Sequence, residues 1–120
     1  MVEIKIPISI GELLDKISIL SIKSQYTDNS YVTKELQDLI SIAKEHQVYD
    51  DSYVSQLFST NLKLWKIEDD LRVLEKSQDF DQTFIDLARS VYITNDLRAR
   101  IKKEINKKYK SSYQEIKIHK

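Results

Sequence analysis

The sequence predicts an all-α protein: an antiparallel bundle of about four helices, in a single domain over residues 1–120, with a minor two-strand ribbon made by the chain ends. Two observations carry this prediction. Apolar residues recur every three or four positions through most of the chain, which is the period of an amphipathic helix. The chain also has only one Gly and one Pro, so it lacks the turn residues that an all-β fold or a phosphate-binding loop needs.

The helix limits follow from capping residues and polar breaks in the apolar pattern. They are expected at about 9–26, 31–46, 53–77 and 81–109. Ser9 with Glu12 forms a capping box at the first helix. That helix has two apolar stripes, so we expect it at the centre of the bundle or at a subunit interface. In the third helix, leucines seven residues apart suit coiled-coil-like bundle packing.

The two chain ends have a different pattern. Residues 2–6 and 115–118 alternate apolar and charged side chains, and both contain Glu-Ile-Lys-Ile. This alternation is typical of short, half-buried strands. We therefore expect the ends to pair as a ribbon, within one chain or between two copies.

Composition excludes several classes of protein. The chain has no Cys, which removes disulfides and thiolate metal sites. No stretch is apolar enough for a membrane span, and the N-terminus has no signal-peptide core, so we expect a cytoplasmic protein. Net charge is zero, yet residues 98–120 contain nine Lys and Arg against two Glu, which leaves that end at +7 and the remainder at −7.

Polar residues interrupt the apolar stripes of helices 3 and 4. Asn95, Arg98 and Lys102 continue the apolar stripe of helix 4, and Asn61 and Glu68 lie on that of helix 3, followed by Arg72 and Glu75. An antiparallel hairpin of these helices places Asn61 level with Arg98. Because burying such groups unpaired costs several kcal/mol each, we expect them to pair or to line a wet cleft.

Three interpretations of this polar stripe remain open. It is a structural network that fixes helix register. Alternatively, Arg72, Arg98 and Lys102 bind an anion, with Glu68 as acid or base beside Asn95 and Asn61. In the third interpretation the stripe contacts a second copy.

We expect no metal and no cofactor. Consecutive carboxylates at 68–70 point about 100° apart on a helix and cannot share one ion, and the two His are far apart. Nucleic-acid binding is not expected either, because the basic end offers few aromatic residues for stacking.

Three stretches carry a resemblance to a known family. They begin at Ser9, Leu64 and Phe84 and read SIGELLDKI, LWKIEDDLR and FIDLARSVYITNDLRARIKKEIN. In this order they resemble a small family of uncharacterised bacterial and phage proteins. The resemblance implies an intact module and no particular activity. The polar and aromatic positions that it covers are Glu12, Asp15, Lys16, Trp65, Glu68, Arg72, Arg89, Tyr92, Asn95, Asp96, Arg98 and Lys102.

A second resemblance is to the all-helical chorismate mutases. Those enzymes bind a dicarboxylate with Arg and Lys and place a Glu near its ether oxygen, inside a helical dimer. The resemblance implies these roles for Arg72, Arg98, Lys102 and Glu68. Helix 1 differs from that family, because it offers Lys16 and Lys23 where an Arg is usual.

The sequence thus predicts a small soluble binding or assembly module without catalysis of its own. We expect it to form a homo-oligomer through helix 1 or the ribbon, and a different protein partner is also possible. The alternative is a helical enzyme or ligand-binding protein for a small anionic metabolite.

Overall fold

A computed structural model describes residues 1–118, and within them the chain forms four α-helices. They are α1 Ile10–Tyr26, α2 Ser30–Glu45, α3 Asp51–Lys76 and α4 Gln82–Lys108. The predicted all-α bundle is confirmed, and each limit lies within about two residues of expectation. In the part of the chain that the structure describes, no helix has the length and apolar character needed to cross a membrane.

Each helix begins at a side chain that accepts a hydrogen bond from the first turn. The N-caps are Ser9, Asn29, Asp50 and Asp81. Such caps satisfy backbone N–H groups that have no partner inside the helix. The capping-box serine at position 9 therefore acts as predicted.

Helix α1 lies at the centre of the fold. It packs against all three other helices, whereas α2 packs closely against α1 alone among the helices. Both of its stripes are used, because Leu14 and Ile17 on one side and Ile22 on the other are fully buried. This helix was expected at the centre of the bundle or at a subunit interface, and the structure places it at the centre. The buried apolar residues of the core are Leu13, Leu14, Ile17, Leu20, Ile22, Ala43, Leu57, Leu64, Ile67, Ile101 and Ile105.

Helices α3 and α4 form the predicted antiparallel hairpin, and α1 covers only its base. Helix α1 ends at Tyr26, whose ring stacks on that of Trp65 at 5.2 Å between centroids. Past Tyr26, α1 no longer covers α3 and α4, and no residue from 68 to 93 is buried. We call residues 68–93 the distal hairpin.

The predicted ribbon of the chain ends is wrong within a single chain. No strand occurs in residues 1–118. Residues 6–8, together with 112–113 of the other end, line a shallow apolar groove beside Ile42 of α2 and its C-cap His46. Residues 115 and 117 pair instead with α4, where Lys117 lies 3.0 Å from Asp96. The two Glu-Ile-Lys-Ile segments consequently diverge, and their Ile side chains are exposed.

Candidate functional site

A buried polar centre lies where α1, α3 and α4 meet. Asp15 of α1 accepts two hydrogen bonds from Arg98 of α4, Nε to Oδ1 at 3.0 Å and Nη2 to Oδ2 at 2.5 Å. Asn61 of α3 donates from Nδ2 to Asp15 Oδ1 and to Ser18 Oγ, both at 2.8 Å. The Asp15 hydrogen bonds raise the pKa of Arg98 above its ordinary value, despite partial burial. This centre ties three helices together through one carboxylate.

A second ion-paired group lies one turn further along α4. Lys102 is buried, and its Nζ lies 2.9 Å from Glu12 and 3.2 Å from Glu115. Burial lowers the pKa of Lys102, but the hydrogen bonds and negative charge of these two carboxylates raise it by more. The pKa of Lys102 is therefore above its ordinary value. Lys102 therefore stays charged, and its charge is already neutralised.

Close contact between α1 and α4 depends on the only glycine. The Gly11 N–H donates to Asn106 Oδ1 at 2.7 Å, and the neighbouring Ile10 N–H donates to Ser111 Oγ at 3.1 Å. A Cβ at Gly11 would lie only 2.7 Å from the Lys102 carbonyl oxygen. Glycine thus permits an approach that satisfies the free N–H groups at the start of α1.

A cleft of about 260 Å³ opens beside the polar centre. Its lining combines four apolar and four polar side chains: Ile19, Ile22, Leu64, Trp65, Asn61, Glu68, Asn95 and Arg98. The cleft is thus a mixed surface with two amides, one carboxylate and one edge of a guanidinium group.

The six residues that the sequence singled out fall into three places. Arg98, Asn61, Asn95 and Glu68 line the cleft together. Lys102 lies one turn away, in its own ion pairs. Arg72 lies outside the cleft, exposed on the distal hairpin and 3.6 Å from Asp69. It does not join the other cations because α1, which completes the cleft, ends before reaching it.

Asp15 is the central residue that the sequence reasoning named only as a position of the family resemblance and did not place in the polar stripe. It lies between Glu12 and Lys16, so it reads as part of an exposed charged face. A signal for it existed, because it precedes Ile19 by four residues and Ile22 by seven, and so continues the second apolar stripe of α1.

In residues 1–118 no three His, Asp or Glu side chains come together as metal ligands. Each buried carboxylate has a cationic or amide partner from the protein itself.

Residues 4–119 match a family model described as a family of unknown function, DUF6165. The chain belongs to this family. The expectation of an uncharacterised family is thereby confirmed, whereas its three motifs and its bacterial or phage origin stay predictions. No curated protein and no solved structure matches the chain. Because the function of DUF6165 is unknown, membership assigns no activity, and the chemistry of this chain has to come from the side chains described above.

Proposed function

We propose that this protein is a helical binding and assembly module without catalysis of its own, and that it binds another protein through the distal hairpin. The observation that carries the proposal is the solvent exposure of apolar side chains on that hairpin. Ile85, Tyr92 and Ile93 of α4 are 46%, 55% and 55% exposed, and none of residues 68–93 is buried. Two helices alone bury little apolar surface, and a bound partner would remove more of it from water.

The charges at the cleft favour a structural role for the polar centre. Arg98 and Lys102 are each paired with carboxylates of the same chain. Counting Asp15, Glu12, Glu115 and Glu68, four carboxylates surround these two cations. The excess of negative charge disfavours an anionic ligand. The network that joins α1, α3 and α4 then acts by fixing the geometry of the hairpin.

A second candidate is the cleft as a site for a small anionic metabolite, the chorismate-mutase-like alternative. One observation favours it: Arg98 lines the cleft, and within residues 1–118 its Nη1 has no hydrogen-bond partner. The position of Arg72 outside the cleft weighs against it. The single tryptophan, Trp65, lines the cleft, so its fluorescence during titration with phosphate or citrate tests this candidate. A saturable change that Arg98→Ala abolishes would support it, and a flat response would contradict it.

Photo-crosslinking tests the assembly function directly. Benzoylphenylalanine replaces Tyr92 on the distal hairpin or, as a matched control, Tyr31 on α2, which is 74% exposed. Each protein is irradiated alone and in an extract of cells that make it. We expect a discrete protein adduct from position 92 and none from position 31. In the extract, an excess of the unmodified protein should suppress an adduct with a different protein, and an excess of the Tyr92→Glu variant should not. No adduct at position 92 in either sample would contradict the proposal.

Two finer expectations belong to the same proposal. We expect the protein to act in the cytoplasm and to form a homo-oligomer, as its composition and its exposed apolar surface suggest. A ribbon between the ends of two copies also stays a prediction, supported by the exposure of Ile4 and Ile116.

A further inference from the structure

One stripe of α4 faces away from the other helices along its whole length. Its members are spaced three or four residues apart, so they share one face. They are Ile85, Arg89, Tyr92, Asp96, Arg100, Lys103 and Lys107. None of these side chains is buried. The stripe is apolar in its first half, apart from Arg89, and basic in its second.

Charge is distributed unequally between the two ends of the hairpin. Residues 68–89, around the tip, contain seven Asp and Glu against three Lys and Arg, a net charge of −4. Residues 98–118, at the base, contain eight Lys and Arg against two Glu. Four of these cations pair with carboxylates of the same chain. The remaining charges are Arg100, Lys103, Lys107 and Lys110 against Glu104, a net charge of +3. A surface with one acidic and one basic end complements a second copy of itself only when that copy is reversed.

We propose that the partner bound by the distal hairpin is a second copy of this chain, packed α4 against α4 in an antiparallel arrangement. This inference rests on the proposed function and names its partner. The two-fold axis passes between Tyr92 and Ile93, at the centre of the exposed apolar side chains. The contact is therefore self-complementary and closes as a dimer.

The register follows from this axis. Residues whose numbers add to 185 lie at the same level along the two helices, so Tyr92 lies level with the partner's Ile93, which borders the stripe. Arg89 then faces the partner's Asp96, and the two-fold relation makes this pair twice. Asp96 already pairs with Lys117 but keeps 47% of its side chain exposed, so its carboxylate can accept a second donor.

The ends of the stripe support the same orientation. Lys103 and Lys107 lie beside the acidic tip of the partner, where Asp79 and Asp81 flank the start of its α4. Arg100 lies over the partner's Ile85, where its aliphatic stem can cover the apolar side chain. A parallel arrangement would instead place the basic ends together and the acidic tips together, and like charges repel.

Oligomeric state tests whether the contact exists. Sedimentation equilibrium from 2 to 200 µM should detect a dimer of the native protein. The double variant Tyr92→Glu/Ile93→Glu should raise the dissociation constant of the dimer at least tenfold, while Tyr31→Glu on α2 should leave it unchanged. Circular dichroism and urea unfolding check that each variant is folded. A native monomer at every concentration, or a dimer that the double variant leaves intact, would overturn the proposal.

Disulfide trapping tests the orientation, because the chain has no cysteine of its own. Ile93→Cys, next to the axis, should form a disulfide with itself. A mixture of Gln82→Cys and Lys103→Cys proteins should form the mixed disulfide, since these positions add to 185. Gln82→Cys alone should not cross-link, and neither should Gln37→Cys on α2. A Gln82 homodisulfide without the mixed species would overturn the antiparallel register, since disulfides require Cβ atoms about 4 Å apart.

These outcomes also separate this inference from the proposed function. If the native protein is monomeric while photo-crosslinking at position 92 yields a competed adduct with a different protein, the second copy is the wrong partner and the binding role of the hairpin stands. If position 92 yields no adduct and no dimer forms, both proposals are overturned.

Discussion

Asp15 and Arg98 form a two-point ion pair that joins the first and last helices of the bundle, with Arg98 Nε 3.0 Å from Asp15 Oδ1. The Asp15 side chain is 1% exposed and that of Arg98 is 27% exposed. A carboxylate this deeply buried is stable only if hydrogen bonds replace its water, and Asn61 supplies a third donor. The pair therefore links the position of α1 to the register of the α3–α4 hairpin.

Breaking this pair should strongly destabilise the fold. We expect Asp15→Ala and Arg98→Ala each to lower the free energy of unfolding by about 3 kcal/mol or more, because either change leaves a buried polar partner unpaired. The double variant should lose less than the sum of the two, since the unpaired charge disappears. Urea unfolding, with midpoint and slope recorded for each protein, measures these differences.

Arg72→Ala is the matched control for the Asp15–Arg98 pair. Arg72 pairs with Asp69 on the surface at 3.6 Å, and exposed pairs of this kind contribute well under about 1 kcal/mol. If the Arg72 and Arg98 variants lost equal stability, the polar centre would have no special structural role.

The hairpin register was predictable from sequence because helical periodicity fixes which residues face each other. Asn61 was expected level with Arg98, and the two side chains do meet at Asp15. The helix limits were predictable for a similar reason, since caps such as Ser9 and Asp50 mark them directly. Local chemistry thus determines the elements and the pairing of two long helices.

Other features depend on tertiary contacts that periodicity does not encode. The sequence placed Arg72 with Arg98, but α1 ends too early to form a cleft there. Glu115 reaches Lys102 from an irregular tail. The path of this tail has no periodic pattern in the sequence from which it could be predicted. Asp15 was missed because its neighbours in sequence are charged, although the helix turns it inward.

Gly11 should tolerate no side chain. We expect Gly11→Ala to lower the free energy of unfolding by about 1–3 kcal/mol, because its Cβ would meet the Lys102 backbone oxygen at 2.7 Å and force α1 away from α4. Helix propensity alone predicts the opposite sign, since Ala is the better helix former. Thermal or urea unfolding decides between these effects, and Lys23→Ala, at an exposed site in the same helix, is the control.

Introducing a glycine at the turn between α3 and α4 should stabilise the protein. Gln78 follows α3 with φ 57°, in the left-handed region, although it is not glycine. Gln78→Gly is expected to raise the free energy of unfolding by up to about 1 kcal/mol, because glycine adopts this conformation without steric cost. Urea unfolding measures the gain. Gln37→Gly, inside α2, should instead destabilise, and a loss of stability at both positions would contradict the assignment of the turn.

Two buried threonines on facing helices should respond differently to loss of the hydroxyl. Within the described residues Thr94 Oγ1 has no hydrogen-bond partner, whereas Thr60 Oγ1 donates to the Gln56 carbonyl at 2.8 Å. Thr94→Val should therefore leave stability unchanged or raise it by up to about 1 kcal/mol, and Thr60→Val should lower it by about 1 kcal/mol. Urea unfolding of both variants measures the contrast, which equal losses would contradict.

Acid should weaken the contact between the start of α3 and the end of α4. Asp50 accepts hydrogen bonds from the Tyr109 hydroxyl, from Lys108 Nζ at 2.9 Å and from the Tyr53 N–H. The Tyr109 bond is the largest cause that lowers the pKa of Asp50 from 3.8 to about 2. Because the folded state holds this proton less readily than the unfolded state, Asp50 contributes stability above pH 4 that is lost as the pH falls towards 2.

The full contribution of Asp50 is about 2 kcal/mol, from a pKa difference of roughly two units. Tyr109→Phe removes the principal hydrogen bond, so we expect the Asp50 pKa to rise towards 3.8 and neutral stability to fall by about 1 kcal/mol. Urea unfolding of both proteins from pH 7 to pH 2 measures the difference, which should shrink as the carboxylate becomes protonated. Tyr31→Phe, on the exposed surface of α2, is the control. A Tyr109→Phe effect that stays constant over this range would assign the loss to packing and not to the Asp50 carboxylate.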